Sequence, residues 1–114
     1  MSTAGWSTAK AIIAASGTTS AAVELGRQRI VALQTPAALT GTTITFTACL
    51  TADGTFLPVY DDAGTAYSVT VSTSRHIYVD ERKLWAAPFI KLVSGSSEAA
   101  ERTITLMTMP LTAD

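Results

Sequence analysis

The chain has 114 residues, 47% of them apolar but only 15% charged, and its eight basic and nine acidic residues leave a formal net charge of -1. That length suits one ordinary domain with a real core. The charge balance gives no electrostatic case for nucleic acid, and no apolar run approaches the ~20 residues that span a bilayer. A single cysteine, Cys49, excludes an internal disulfide, and with a single histidine, His76, the chain has too few ligands for a Cys/His zinc site. The opening MSTAGWSTAKAIIAAS lacks a basic n-region and a long apolar h-region, so it reads as mature protein made in a reducing cytoplasm.

Residues 1–9 are small and polar around Trp6 and read as a loose N-terminal arm; residues 10–114 read as a single β-sandwich domain. An exposed tryptophan on such an arm is a docking candidate, because aromatics are enriched at interfaces; the plainer alternative lays Trp6 on its own domain. Lys10 to Ala15 fits a strand or a short helical turn, ended by Ser16-Gly17. Ser20 to Leu25 reads as a strand, and so does Arg27 to Gln34, with Ile30 and Ala32 opposite Val31 and Leu33. The latter is apolar on both faces and belongs at the centre of a sheet or under a cover. Thr35-Pro36 stops it, because proline donates nothing to a ladder.

The clearest signal lies in TTITFTACLTADGTFLPVY, from Thr42 to Tyr60. Ile44, Phe46, Ala48 and Leu50 alternate with Thr43, Thr45, Thr47 and Cys49, the period of a half-buried strand. Asp53-Gly54 breaks the run as a turn, and Phe56 to Tyr60 returns as a second strand, giving a hairpin. Asp61-Asp62-Ala63-Gly64 turns the chain into Tyr67 to Ser72, with Val69 and Val71 inward. Arg75 to Val79 follows, with Ile77 and Val79 on one face and His76 and Tyr78 on the other. Asp80 to Ala87 is a charged connector, possible as one helical turn with Asp80 at its N-cap. Phe89 to Val93 is a strand, Ser94 to Ala100 a polar, flexible loop, and Glu101 to Met109 a last strand ended by Pro110. The sum is an all-β chain: an antiparallel β-sandwich or jelly roll of about eight short strands behind a flexible arm.

Few residues suggest chemistry. Asp53, Asp61 and Asp62 supply the oxygen ligands that Ca²⁺ prefers, yet aspartate is an ordinary turn residue, and the calcium-loop motif is absent. His76 as a general base would need a nucleophile and an orienting partner; Cys49 fits a half-buried, inert thiol better than a nucleophile. Trp6, Trp85, Tyr60, Tyr67 and Tyr78 could line a sugar platform, although nothing in their spacing demands it. Asp80-Glu81-Arg82-Lys83 beside Leu84-Trp85 would make a charged rim around an apolar anchor, or else a solvated turn with Trp85 closing the core. The contact residues singled out are Trp6, Arg82 and Trp85; no catalytic, cofactor or metal residue is assigned, and no cofactor is expected.

The segments ALTGTTITFTACLTADGTFLPVYDDAGTAYSVTV, RHIYVD, PFIKLVSGSS and RTITLMTMP, taken in that order, resemble small virion structural proteins of tailed bacteriophages. The likeness covers roughly Ala21 to Pro110. LWAAPFIKL is also similar to the closing strand of discoidin-like jelly rolls, a likeness of fold and not of ligand. The phage resemblance implies a non-enzymatic head decoration or cement protein. Such a protein sits on the capsid surface as a homo-oligomer, a trimer by that resemblance, with the major capsid protein as partner. It would contact neither nucleic acid nor membrane. A tail or baseplate component and a carbohydrate-binding sandwich are the alternatives.

Overall fold

A computed structural model describes residues 6–84 and 87–110, with 81 and 82 described as backbone only. Among the described residues nine strands follow one another, joined by turns and one short 3-10 turn, and alternation of apolar side chains decides which face of each strand is covered. They are β1 (Ser7–Ile13), β2 (Val23–Glu24), β3 (Gln28–Gln34), β4 (Thr43–Cys49), β5 (Leu57–Pro58), β6 (Ser68–Thr70), β7 (His76–Tyr78), β8 (Phe89–Ser94) and β9 (Arg102–Pro110). The 3-10 turn is Glu81–Leu84, where the Lys83 N–H donates to the Asp80 carbonyl at 3.1 Å.

The strands pair into two antiparallel sheets. One runs β1-β9-β3-β7; the other runs β2-β8-β4-β5, with β6 also on β4. Ala11, Ile30, Leu33, Ile104 and Leu106 from the first sheet meet Val23, Ile44, Phe46, Val69, Ile90 and Leu92 from the second in one shared core. This is a β-sandwich, each sheet covering the apolar face of the other. Leu84 of the 3-10 turn closes one end, almost fully buried.

Strand β5 and strand β6 are two halves of one edge. Leu57 and Pro58 face Ala48 and Thr47, whereas Ser68 to Thr70 face Thr45 to Thr43 on the same β4. Between them residues 60–66 leave the sheet and return. A bridge between Tyr60 and Ala66 and a Tyr67 N–H bond to the Val59 carbonyl, at 3.0 Å, close the excursion.

Several sequence expectations shift. Ser7 to Ala9, expected in the arm, belong to β1. The strand expected over Ser20 to Leu25 is reduced to Val23–Glu24. In β3 the simple alternation fails. Ile30 faces Thr108 and Ala32 faces Met107, so Val31 is an extra residue, a β-bulge. The bulge turns Ile30 and Leu33 to the same inner face, both fully buried in the core. Leu50, expected inward, is 80% exposed because β4 ends at Cys49. By contrast, the inward placement of Val69 and Val71 holds, Ile44 and Phe46 share the buried face of their strand, and His76 and Tyr78 share an exposed one.

Candidate functional site

Among the described residues, clefts lie on either side of the β4–β5 edge. The first lies where β4 ends. Since the ladder stops at Cys49, loop 50–56 folds back over the strand end, and Ala48, Cys49, Leu50, Gly54, Leu57 and Ala87 enclose about 360 Å³. Gly54 makes this possible through space and not through a left-handed backbone. A Cβ there would stand 2.6 Å from both the Cys49 sulfur and the Thr51 hydroxyl. Leu50 and Leu57, 80% and 63% exposed, project as an uncharged apolar tip.

The second cleft, about 500 Å³, lies between excursion 60–66 and the 3-10 turn, lined by Tyr60, Asp61, Asp62, Asp80 and Lys83. Asp61 builds its own wall. Its Oδ1 accepts the N–H groups of Thr65 at 2.9 Å and Ala63 at 3.0 Å, and its Oδ2 lies 3.6 Å from Lys83 Nζ. The Thr65 bond chiefly, then the Ala63 bond and the Lys83 charge, hold its carboxyl below the usual range despite some desolvation. Asp61 is thus largely occupied as a turn residue. Asp53 sits in loop 50–56, apart from Asp61 and Asp62, so the suggested acidic trio does not assemble. Among the described residues no group of three or more His, Cys, Asp or Glu is arranged to hold a metal.

The catalytic candidates are not brought together. His76 lies on β7 of the first sheet, its Nδ1 3.0 Å from Gln34 Nε2 and its ring edge-on to Tyr78. Cys49 ends β4 of the second sheet, half-buried, with the Thr51 hydroxyl 3.9 Å from its sulfur. Nor do the aromatics form one platform. Tyr67 stacks on Phe46 with ring centroids 5.6 Å apart and its hydroxyl accepts the Asp80 N–H at 2.9 Å. Burial pushes its phenol above the usual value, against the lowering effect of that bond. Tyr60 and Tyr78 are exposed but apart, Tyr60 at the start of excursion 60–66 and Tyr78 on β7 of the first sheet. Of the expected contact residues, Trp6 stands one residue before β1 and is 54% exposed. Arg82 lies in the 3-10 turn, and Trp85 lies outside the described residues.

One functional group escaped the sequence. Glu98, in the loop expected to be polar and flexible, is fully buried. Its Oε1 accepts the Thr40 N–H at 2.8 Å and Arg102 Nε at 3.0 Å; its Oε2 accepts the Gly41 N–H at 2.9 Å and the Ser94 hydroxyl at 2.7 Å. Burial alone would raise this carboxyl, but the donors outweigh it and bring it down to about 2. Its backbone also pairs with Ser16 and Gly17. Glu98 therefore clasps the β1–β2, β3–β4 and β8–β9 connections at one end of the sandwich. The only sequence hint was an acidic residue four positions before Arg102 in a lightly charged chain.

Compared with known proteins, the chain matches no protein family, no curated protein and no solved structure.

Proposed function

We propose that this chain is a non-enzymatic structural protein of a tailed-phage virion, a head decoration protein that binds the outer capsid surface as an oligomer. The major capsid protein is its partner, a trimer its assembly, and the virion surface its place after synthesis in the host cytoplasm. The reading starts from the segment resemblance and is supported by the nature of the surface. The observation that carries it is the uncharged tip of Leu50 and Leu57 beside an apolar cleft, a feature suited to adhesion. The separation of His76 from Cys49 accords with a binding role. The strand order supports a jelly roll: with β5 and β6 taken as one interrupted strand, first and last strands adjoin in one sheet, and second and penultimate in the other.

The physics of cementing is multivalency. A small apolar contact is weak alone, but several contacts made at once by one oligomer bind far more tightly. A ligand that binds only the assembled shell then stabilises it by linkage. Antibody or gold labelling of intact particles tests the assignment. Label over the head supports it, label on the tail moves the protein to the baseplate or tail, and no label on purified virions removes it.

A carbohydrate-binding sandwich is a second reading, favoured by Tyr60, 59% exposed beside the Asp62 and Asp80 carboxylates of the second cleft. Aromatic faces stack on sugars and carboxylates accept hydroxyl hydrogens. A glycan array with no hit for the wild type, or with hits unchanged by Tyr60→Ala, would dismiss it.

A further inference from the structure

A β-sandwich of this topology has four sheet edges, and unpaired edges invite strand addition unless they are blunted. Three are blunted here by different means. Strand β2 has two residues, and β7 has three. The β5–β6 edge carries Pro58 and is interrupted by excursion 60–66. Strand β1 differs: it runs seven residues, Ser7–Ile13, with no proline and no bulge, and among the described residues it pairs with β9 alone.

The direction of its free groups can be read from one bond. The Ile12 carbonyl accepts the Ala21 N–H at 3.3 Å, so Ile12 turns its backbone away from β9. Backbone direction alternates along a strand, so Lys10 and Thr8 turn theirs outward too, and Trp6 stands one residue before the strand. Among the described residues, the bond from Ala21 is the one bond between loop backbone and this outer edge. It closes the edge at Ile12 and, among the described residues, leaves it open from Lys10 back to Thr8.

We infer that β1 is an interface for a second copy of this chain, joined edge to edge and antiparallel about a two-fold axis at Thr8. Two constraints select this register. Placing Lys10 opposite Lys10 of the other copy would set like charges face to face, which is unfavourable; it would also run the incoming strand into Ala21. Moving the axis to Thr8 removes the like-charge conflict, and among the described residues the incoming strand then ends at Trp6 opposite Lys10, short of Ala21. Thr8 then exchanges backbone bonds with its counterpart, and the paired threonine side chains suit a cross-strand site. Each Lys10 exchanges bonds with Trp6 of the other copy, and its ammonium meets the indole face. That cation–π pairing is favourable, and it gives an occupant to a tryptophan 54% exposed in the single copy. Among the described residues Lys10 has no ion pair to oppose the arrangement. Two four-stranded sheets would become one continuous sheet of twice the width. Such an isologous contact joins chains in pairs whether or not they also gather in threes through another surface.

The test is sedimentation of the full chain over a concentration series, with Lys10→Pro and Trp6→Ala beside the wild type. Lys10→Pro deletes an outward N–H without removing a bond to β9. The expected result is a concentration-dependent pairing whose dissociation constant rises about tenfold or more in each variant, with unchanged far-UV spectra. A second measurement fixes the register and does not depend on proline being tolerated. In a Cys49→Ser background, Thr8→Cys should give a disulfide-linked dimer on oxidation. Lys10→Cys should not, because in this register the two copies of that position lie about 13 Å apart, beyond disulfide reach. A wild type that stays monomeric at high concentration overturns the proposal. So does an oligomer indifferent to both variants, or cross-linking at Lys10→Cys and not at Thr8→Cys. Capsid binding is a separate readout: pairing without capsid binding would leave this interface standing and remove the decoration role, and the converse would do the opposite.

Discussion

Glu98 concentrates the stability of one end of the sandwich in one carboxylate. A buried charge is tolerable only when it is paired and hydrogen-bonded, and here backbone, hydroxyl and guanidinium donors all converge on it. Glu98→Gln keeps the shape but loses the charge, sets an NH₂ group against donors and strands Arg102. The expected cost is about 3 kcal/mol, read as a lower urea midpoint at unchanged slope. The pH dependence has a definite sign. The carboxyl falls from its ordinary 4.5 to about 2 on folding. The stabilisation it gives is therefore complete above about pH 5 and is lost as the pH drops toward about 2. The gap between wild type and Glu98→Gln should be wide at neutral pH and shrink in acid; a gap that widened in acid would contradict this. Gly41 belongs to the same cluster. A Cβ there would collide with the Ser94 hydroxyl and stand 3.2 Å from Glu98 Oε2. Gly41→Ala should cost about 1–3 kcal/mol by the same assay. None of this was legible beforehand: a glutamate among serine, glycine and alanine reads as solvated, and its partners come from positions 40, 41, 94 and 102, joined only by the fold.

Single strands were legible where one face is apolar and the other is not. Thr43 to Cys49 shows it best, because threonine and apolar residues alternate without exception until the ladder ends. The alternation of β9 and of β7 was equally plain. Strand β3 was not, because Ile30, Val31, Ala32 and Leu33 are all apolar and period two has nothing to contrast. A bulge in such a run leaves no trace in composition, yet it decides which side chains reach the core. Deleting Val31 tests its role. Without the extra residue the ladder closes regularly, with Ile30 still opposite Thr108 and Leu33 still opposite Leu106, so both stay inward, but the Val79 N–H loses the Val31 carbonyl it donates to at 3.1 Å. The shortened chain should keep its core, lose about 1 kcal/mol and show faster amide exchange at Val79; a loss of several kcal/mol would mean that the bulge does more than hold Val79. The fold-back of loop 50–56 was half legible: Asp53-Gly54 marked a turn, but the glycine serves close approach to Cys49 and Thr51.

For the whole molecule, two stacked sheets were foreseeable from several short alternating segments, whereas their partner was not. Adhesion depends on which apolar residues remain outside once the core is filled, and that depends on where strands end. Leu50 is the example: one position further along β4 it would be core, and beyond the end of the ladder it is the tip of a surface. Leu50→Asp and Leu57→Asp should leave the unfolding midpoint within about 0.5 kcal/mol of the wild type, because both residues are exposed. They should still weaken attachment to the partner by about tenfold or more, multiplied across an oligomer.

Addition of purified protein to expanded, undecorated capsids of the phage that carries it tests the decoration role most directly, by co-sedimentation and by thermal disruption of the shells. Saturable binding at a fixed ratio to capsid subunits, with shells that survive to higher temperature, is the expected result. Protein left wholly in the supernatant at micromolar concentration, with shells that melt as before, would contradict it.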